Sequence, residues 1–242
     1  MTQAALARTT IKQSDTYPHV THRNENHSLR LIIDQARPLL PHNLARNSKV
    51  LAALNIWKKC RTTPIGATET HLINTGLPPN TPIPSDVRFH CSALYEPTQE
   101  RFPAMVCAVR NSDGGFTGIH RTFLARNGSG FAKPDGDARR MLGHCYGSYV
   151  QLSEATAFRL IITETVEMAL LIRQSCPDLP VWAAMTIGNM KSPVPSSVGE
   201  VILCIDSEQK TPELASKLLM DAARAGMSNR KASGSCVRFT QP

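Results

Sequence analysis

Leu160-Ile-Ile-Thr-Glu-Thr-Val-Glu-Met-Ala-Leu170 holds a strand, a carboxylate and the start of a helix in one short run. From Phe158 to Thr163 the residues, Arg159 apart, are apolar or β-branched, the composition of a strand buried on both faces. From Glu164 to Ser175 the pattern becomes helical. Downstream, Val181 to Met185 and Val201 to Asp206 read as further strands, Pro212 to Ala225 as a helix, and Val237 to Phe239 as a last strand. Strands and helices alternating at this spacing predict a parallel sheet flanked by helices, an α/β fold.

In such a sheet, ligands collect at the carboxyl ends of the strands, where loops and helix amino termini meet. Glu164 follows one strand and Asp206 ends another, so both carboxylates are expected on one edge. Glu208 converges with them if its loop bends towards that edge. Three crowded carboxylates repel by roughly 1 to 4 kcal/mol per close pair, and a hard divalent cation removes that cost. Spacing alone leaves a plainer alternative, because a glutamate after a strand also suits a helix start. Glu167 reads as a solvent-facing residue of the same helix.

Upstream the character differs. Residues 1–27 are polar and lack a sustained hydrophobic period, so they read as an arm. Leu29, Ile32, Ile33 and Ala36 recur at helical spacing until Pro38. Ser48 caps a predicted helix carrying Val50, Leu51, Leu54 and Trp57, and Thr68 to Thr75 reads as another, ending at Gly76. A proline-rich connector follows. From Val87 to Leu152 the sequence reads as short strands. Among them, Phe102 to Val109 and Phe116 to Leu124 make a hairpin around Asn111-Ser-Asp-Gly-Gly, and Tyr149 to Leu152 adds another strand. The resulting division is residues 1–45 as a polar basic arm with a short helix, 46–152 as a smaller α+β subdomain, and 153–242 as the α/β domain.

Charge is unevenly spread along the chain. The net charge of +8 comes wholly from the first 152 residues, since residues 153–242 carry nine basic and nine acidic side chains. A basic half beside a neutral half rich in carboxylates suits a polyanion held by one part and treated by the other, although a solubilising charge reads equally from composition. Seven cysteines without a C-x-x-C pair give neither a zinc ribbon nor a disulfide framework. With no apolar run of about 20 residues and no secretory signal at Met1 to Lys12, a cytoplasmic protein with no membrane span is expected.

The stretch from Leu160 to Leu170, with Pro180-Val-Trp-Ala-Ala-Met and Val201-Ile-Leu-Cys-Ile-Asp-Ser-Glu, resembles the Toprim domain of bacterial primase-like proteins. The resemblance implies a Toprim-type sheet in which Glu164 is an acid/base or metal-associated residue and Asp206 and Glu208 hold Mg2+ (or Mn2+). Asp113-Gly-Gly-Phe-Thr-Gly-Ile-His-Arg-Thr-Phe-Leu, with Lys133 and Arg139-Arg-Met-Leu-Gly, resembles the segment that precedes Toprim in primases and in primase-like proteins of plasmids, phages and integrated elements. The similarity runs over roughly residues 46–210 and includes a helical lead-in at Leu72 to Gly76.

It implies that Arg121, Lys133, Arg139 and Arg140 grip template phosphates or a nucleoside triphosphate, a task suited to the guanidinium fork, and that His120 bonds a base or phosphate. Taken singly, Arg139 and Arg140 also read as a solvated turn, and a lone histidine on a strand as structural.

The implied activity is primase-like nucleotidyl transfer on single-stranded DNA in replication, by a catalytic core lacking zinc-binding and helicase domains. A helicase or another replication or host protein would then be a partner. Thr165 stands where the family has glycine, Glu208 where it has a second aspartate, and Gln209-Lys-Thr-Pro where it has a glycine-rich helix start. These departures keep two alternatives in view. One is a degenerate, non-catalytic Toprim protein that binds nucleic acid or regulates a mobile element, and the other is a Toprim nuclease.

Overall fold

Burial of the Leu160–Thr163 side chains at the middle of a sheet sets the architecture of the described region. The computed structural model describes residues 48–132, 138–155, 158–205, 228–233 and 236–240, all within one compact unit, Pro38–Pro242. The expected helices at Leu29 to Ala36 and Pro212 to Ala225 lie outside the described residues, as do Lys133, Asp206 and Glu208.

The elements in chain order are α1 (Ser48–Lys58), α2 (Ala67–Asn74), β1 (Val87–Tyr95), β2 (Glu100–Arg110), β3 (Phe116–Phe123), β4 (Arg139–Gly143), β5 (Val150–Gln151), β6 (Arg159–Thr163), α3 (Val166–Ser175), β7 (Val181–Ala183), β8 (Glu200–Cys204), β9 (Ser228–Ser233) and β10 (Cys236–Thr240). They build a four-stranded sheet, β1-β2-β3-β4, and a six-stranded sheet, β5-β7-β6-β8-β10-β9.

The first sheet is antiparallel throughout. Its β2–β3 hairpin closes as the turn residues predict, with the Gly115 amide donating to Asn111 Oδ1 at 2.7 Å and the Asn111 amide to the Gly115 carbonyl at 3.0 Å. The strands are longer than expected, nine residues in β1 and eleven in β2. Alternation decides what each face touches. Ala104, Val106, Ala108, Ile119 and Phe123 pack with Ala53 and Trp57 of α1, while Met105, Cys107 and Val109 face a second core.

That second core is shared between the two sheets. It joins Leu72 near the end of α2 to Val166, Ala169 and Leu170 of α3 and to Ile161, Val181 and Ala183 of the six-stranded sheet. The opposite face of the six-stranded sheet buries Leu160, Ile162, Trp182, Val201 and Leu203 with Tyr149, Met190 and Val198.

The second sheet is mixed, which corrects the expectation of a parallel one. Only β7, β6 and β8 run parallel; β5 is antiparallel to β7, and β10 is antiparallel to β8 and β9. Only two residues separate β9 from β10, and so short a connection joins antiparallel strands, since a parallel pair needs a crossover of a dozen residues or more. The start of β6 is also shifted. Phe158 is 66% exposed and precedes the strand, which begins at Arg159, whose guanidinium pairs with Glu200 across the sheet.

Candidate functional site

The parallel strands bring Glu164 to their carboxyl edge. Thr163 aligns with Ala183 of β7 and Cys204 of β8, and the chain leaves β6 at Glu164, whose amide donates to the Cys204 carbonyl at 3.2 Å. That carbonyl is two positions before Asp206, so β8 delivers its chain to this edge. Thr163 Oγ1 donates to the Thr165 carbonyl at 2.8 Å, and Thr165 Oγ1 accepts from the Met168 amide at 3.3 Å. Thr165 is thus the amino-terminal cap of α3 and sets where the helix starts after Glu164.

A half-buried carboxylate at this edge offers the hard oxygen donor that Mg2+ and Mn2+ favour. Among the described residues, no group of three His, Cys, Asp or Glu side chains is placed to hold a metal ion. From the described residues this edge receives Glu164 as a hard oxygen donor.

The residues of the basic motif divide between the two faces of the four-stranded sheet, because successive side chains on a strand point opposite ways. Arg121 pairs across the sheet with Arg140, and Thr122 with Arg139. Arg121 Nη1 lies 2.6 Å from Glu96 Oε1, and its side chain is only 4% exposed. Its guanidinium stands 5.4 Å from the centre of the Phe123 ring, and that of Arg140 stands 5.5 Å from the Tyr95 ring. Burial would raise the Glu96 carboxyl, but the bond from Arg121 and the charges of Arg121 and Arg140 hold it below its ordinary value.

On the other face His120 is 2% exposed, and neither ring nitrogen has a hydrogen-bond partner. Burial pushes its pKa down to about 4, with Glu167 pulling upwards and Arg139 and Arg121 pushing down. Glu167, expected to face solvent, is 8% exposed. It lies next to Val166 and three residues before Leu170, on the flank of the apolar arc that α3 turns into the shared core. His71 Nε2 of α2 and Arg139 Nη2 of β4 approach Glu167 Oε1 at 3.6 and 3.5 Å. Burial alone would raise this carboxyl; the His71 contact and the Arg139 charge outweigh it and hold the pKa at about 2.

The motif therefore forms two separate arrangements. Arg121 and Arg140 gather beside Glu96 and Tyr95, while His120 and Arg139 surround Glu167 on the helix that starts just beyond Glu164. Sequence reasoning missed His71 and misplaced Glu167; the available signal was Glu167's position on the flank of an apolar arc.

Two family comparisons match parts of this chain. Residues 159–233 match the Toprim domain, and residues 47–152 match a domain of unknown function (DUF7146). No curated protein matches. The chain thus contains a Toprim domain, which spans β6 to β9 and includes Glu164, Asp206 and Glu208. A Toprim domain suggests a metal-dependent function related to nucleic acid, of primase, nuclease or topoisomerase type.

Proposed function

We propose that this protein is a primase-like nucleotidyltransferase acting on single-stranded DNA. In this reading residues 1–45 form an arm, 46–152 a template- and nucleotide-handling subdomain, and 153–242 the Toprim domain. The observation that carries it is Glu164 at the carboxyl end of β6, inside the Toprim match and bonded through its backbone to the end of β8 just ahead of Asp206. Glu164, Asp206 and Glu208 would hold Mg2+ or Mn2+. When bound, the ion supplies neutralisation of triphosphate charge and a lowered pKa for the attacking hydroxyl. Arg139, partly exposed on β4, and Lys133 are the basic-motif groups best suited to meet phosphate. The protein works in the cytoplasm with a helicase or another replication or host protein; no helix among the described residues is long and apolar enough to cross a membrane.

A second reading, a non-catalytic nucleic-acid-binding or regulatory protein of a mobile element, draws support from Arg121. Its guanidinium is buried and already neutralised by Glu96, which suits a structural arginine better than a phosphate grip. Primer synthesis on a single-stranded template with magnesium or manganese separates the readings. The enzyme predicts product from wild type and none from Asp206→Ala. No product over a wide survey of templates and metals, with DNA binding that survives loss of all three carboxylates, would establish the binder, and nicking of supercoiled plasmid would establish a Toprim nuclease.

A further inference from the structure

Four arginines are matched to a carboxylate: Arg110 holds Asp86 through two bonds, Arg121 holds Glu96, Arg139 approaches Glu167, and Arg159 holds Glu200. Another group of basic residues is not matched in this way. At the outer edge of the four-stranded sheet, Lys59, Arg61, Arg88 and Arg101 come together, and among the described residues no carboxylate lies within ion-pair distance of them.

Several contacts place these residues along the edge of β1, Arg61 on the face of Phe89 and Arg88 on the face of Trp57. Arg61 is bridged to Phe89 of β1 by reciprocal backbone bonds of 2.8 Å each. The Arg88 guanidinium lies 4.2 Å from the centre of the Trp57 ring and donates to the Trp57 carbonyl at 3.3 Å. Arg101 donates to the Ser92 carbonyl at 3.0 Å, where β1 bulges. His90, between them, feels the cluster: burial lowers its pKa first, and the charges of Arg101 and Lys59 lower it further.

Two plainer explanations cover only part of this. Lysines at the end of α1 complement the helix dipole, which accounts for Lys58 and Lys59 but not for the arginines. Charges on an edge strand deter pairing with another chain, yet the Arg61 segment already occupies the edge of β1 at Phe89. An uncompensated cluster of like charges is a standing cost that a polyanion removes. We infer that this edge is a phosphate-backbone track, holding a nucleic-acid strand away from the Glu164 edge through Lys59, Arg61, Arg88 and Arg101.

The inference rests on the nucleic-acid reading and assigns it a binding surface outside the basic motif. Trp57 is buried beneath Arg88, so the track has no open indole for a base to stack upon. Recognition is therefore of phosphate alone, independent of sequence and steeply dependent on salt.

The test is fluorescence anisotropy of the full chain with labelled oligothymidylate and a mixed-sequence strand over a range of salt concentrations. Lys59→Gln/Arg61→Gln should weaken binding to both strands about tenfold and reduce the slope of log affinity against log salt by about 1.4, the value for two lost phosphate contacts on a single strand. Arg173→Gln/Lys191→Gln removes the same charge elsewhere and should change neither quantity, whereas Lys59→Arg/Arg61→Lys keeps the charge and should retain binding. Equal slopes in wild type and Lys59→Gln/Arg61→Gln would overturn the track while leaving the nucleic-acid function standing. Wild type that binds neither strand would overturn both. Track-dependent binding without primer synthesis would uphold the track and remove only the enzyme.

Discussion

His120 sits in the shared core with two ring nitrogens that no group satisfies, so it is held neutral. Its ordinary pKa of 6.5 falls to about 4 on folding. The unfolded chain then binds the extra proton first, and the sign follows: the contribution is complete above pH 6.5 and is lost as pH falls through 6.5 towards 4. Down to pH 4.5 the loss should be about 2 to 3 kcal/mol, at about 1.4 kcal/mol per unit. Lowered His90 adds a smaller change in the same direction, and Glu167 and Glu96 join only below their ordinary value of 4.5. Urea unfolding of His120→Leu between pH 7 and 4.5 should therefore show a much flatter dependence than wild type, whatever its absolute stability. An unchanged slope would remove His120 from the account.

At this scale the sequence was only partly legible. Glu164 is placed by the strand that precedes it, and local pattern finds that strand. The environments of Arg121 and Glu167 are long-range: Glu96 is 25 residues from Arg121 in the chain, and His71 reaches Glu167 from another helix. No local spacing announces such partners.

Between elements, close approach matters more than propensity. β3 and β4 pass so near that a Cβ on Gly118 would meet the Leu142 carbonyl at 2.4 Å and Cys145 Sγ at 2.9 Å. Backbone cannot yield as a flexible side chain does, so Gly118→Ala should cost about 1 to 3 kcal/mol in denaturant unfolding, whereas Gly130→Ala, with nothing within 4 Å, should be nearly neutral. Equal effects would mean that the two strands separate freely. The hairpin of β2 and β3 was readable because the whole turn signal lies within Asn111 to Gly115. Strand β9 was not: Ser228–Ser233 is polar and lacks an apolar alternation, and it is a strand because β10 supplies its hydrogen bonds. The expectation of a parallel sheet held for β7, β6 and β8 and missed the antiparallel strands for a related reason, since strand direction depends on connections that alternation alone does not reveal. Thr165, which departs from the family glycine, acts locally as the cap of α3.

Across the molecule, one core ties the upstream sheet to the Toprim helix α3, and Glu167 joins α2 and β4 at that boundary. A strand held by the basic edge of β1 and a carboxylate edge at the end of β6 would thus belong to one body, with the charge asymmetry of the sequence as its outward sign. Composition made that asymmetry legible upstream of residue 153, but the resemblance drew attention to the basic motif, whereas the basic edge of β1 gathers Lys59, Arg61 and Arg88. The central claim is that the Toprim edge still holds a divalent cation. Anomalous diffraction from manganese-soaked crystals tests it most directly: the account predicts a peak about 2.1 Å from carboxylate oxygens of Glu164 and Asp206, lost in Asp206→Ala. A wild-type edge without anomalous density at high manganese concentration would contradict it.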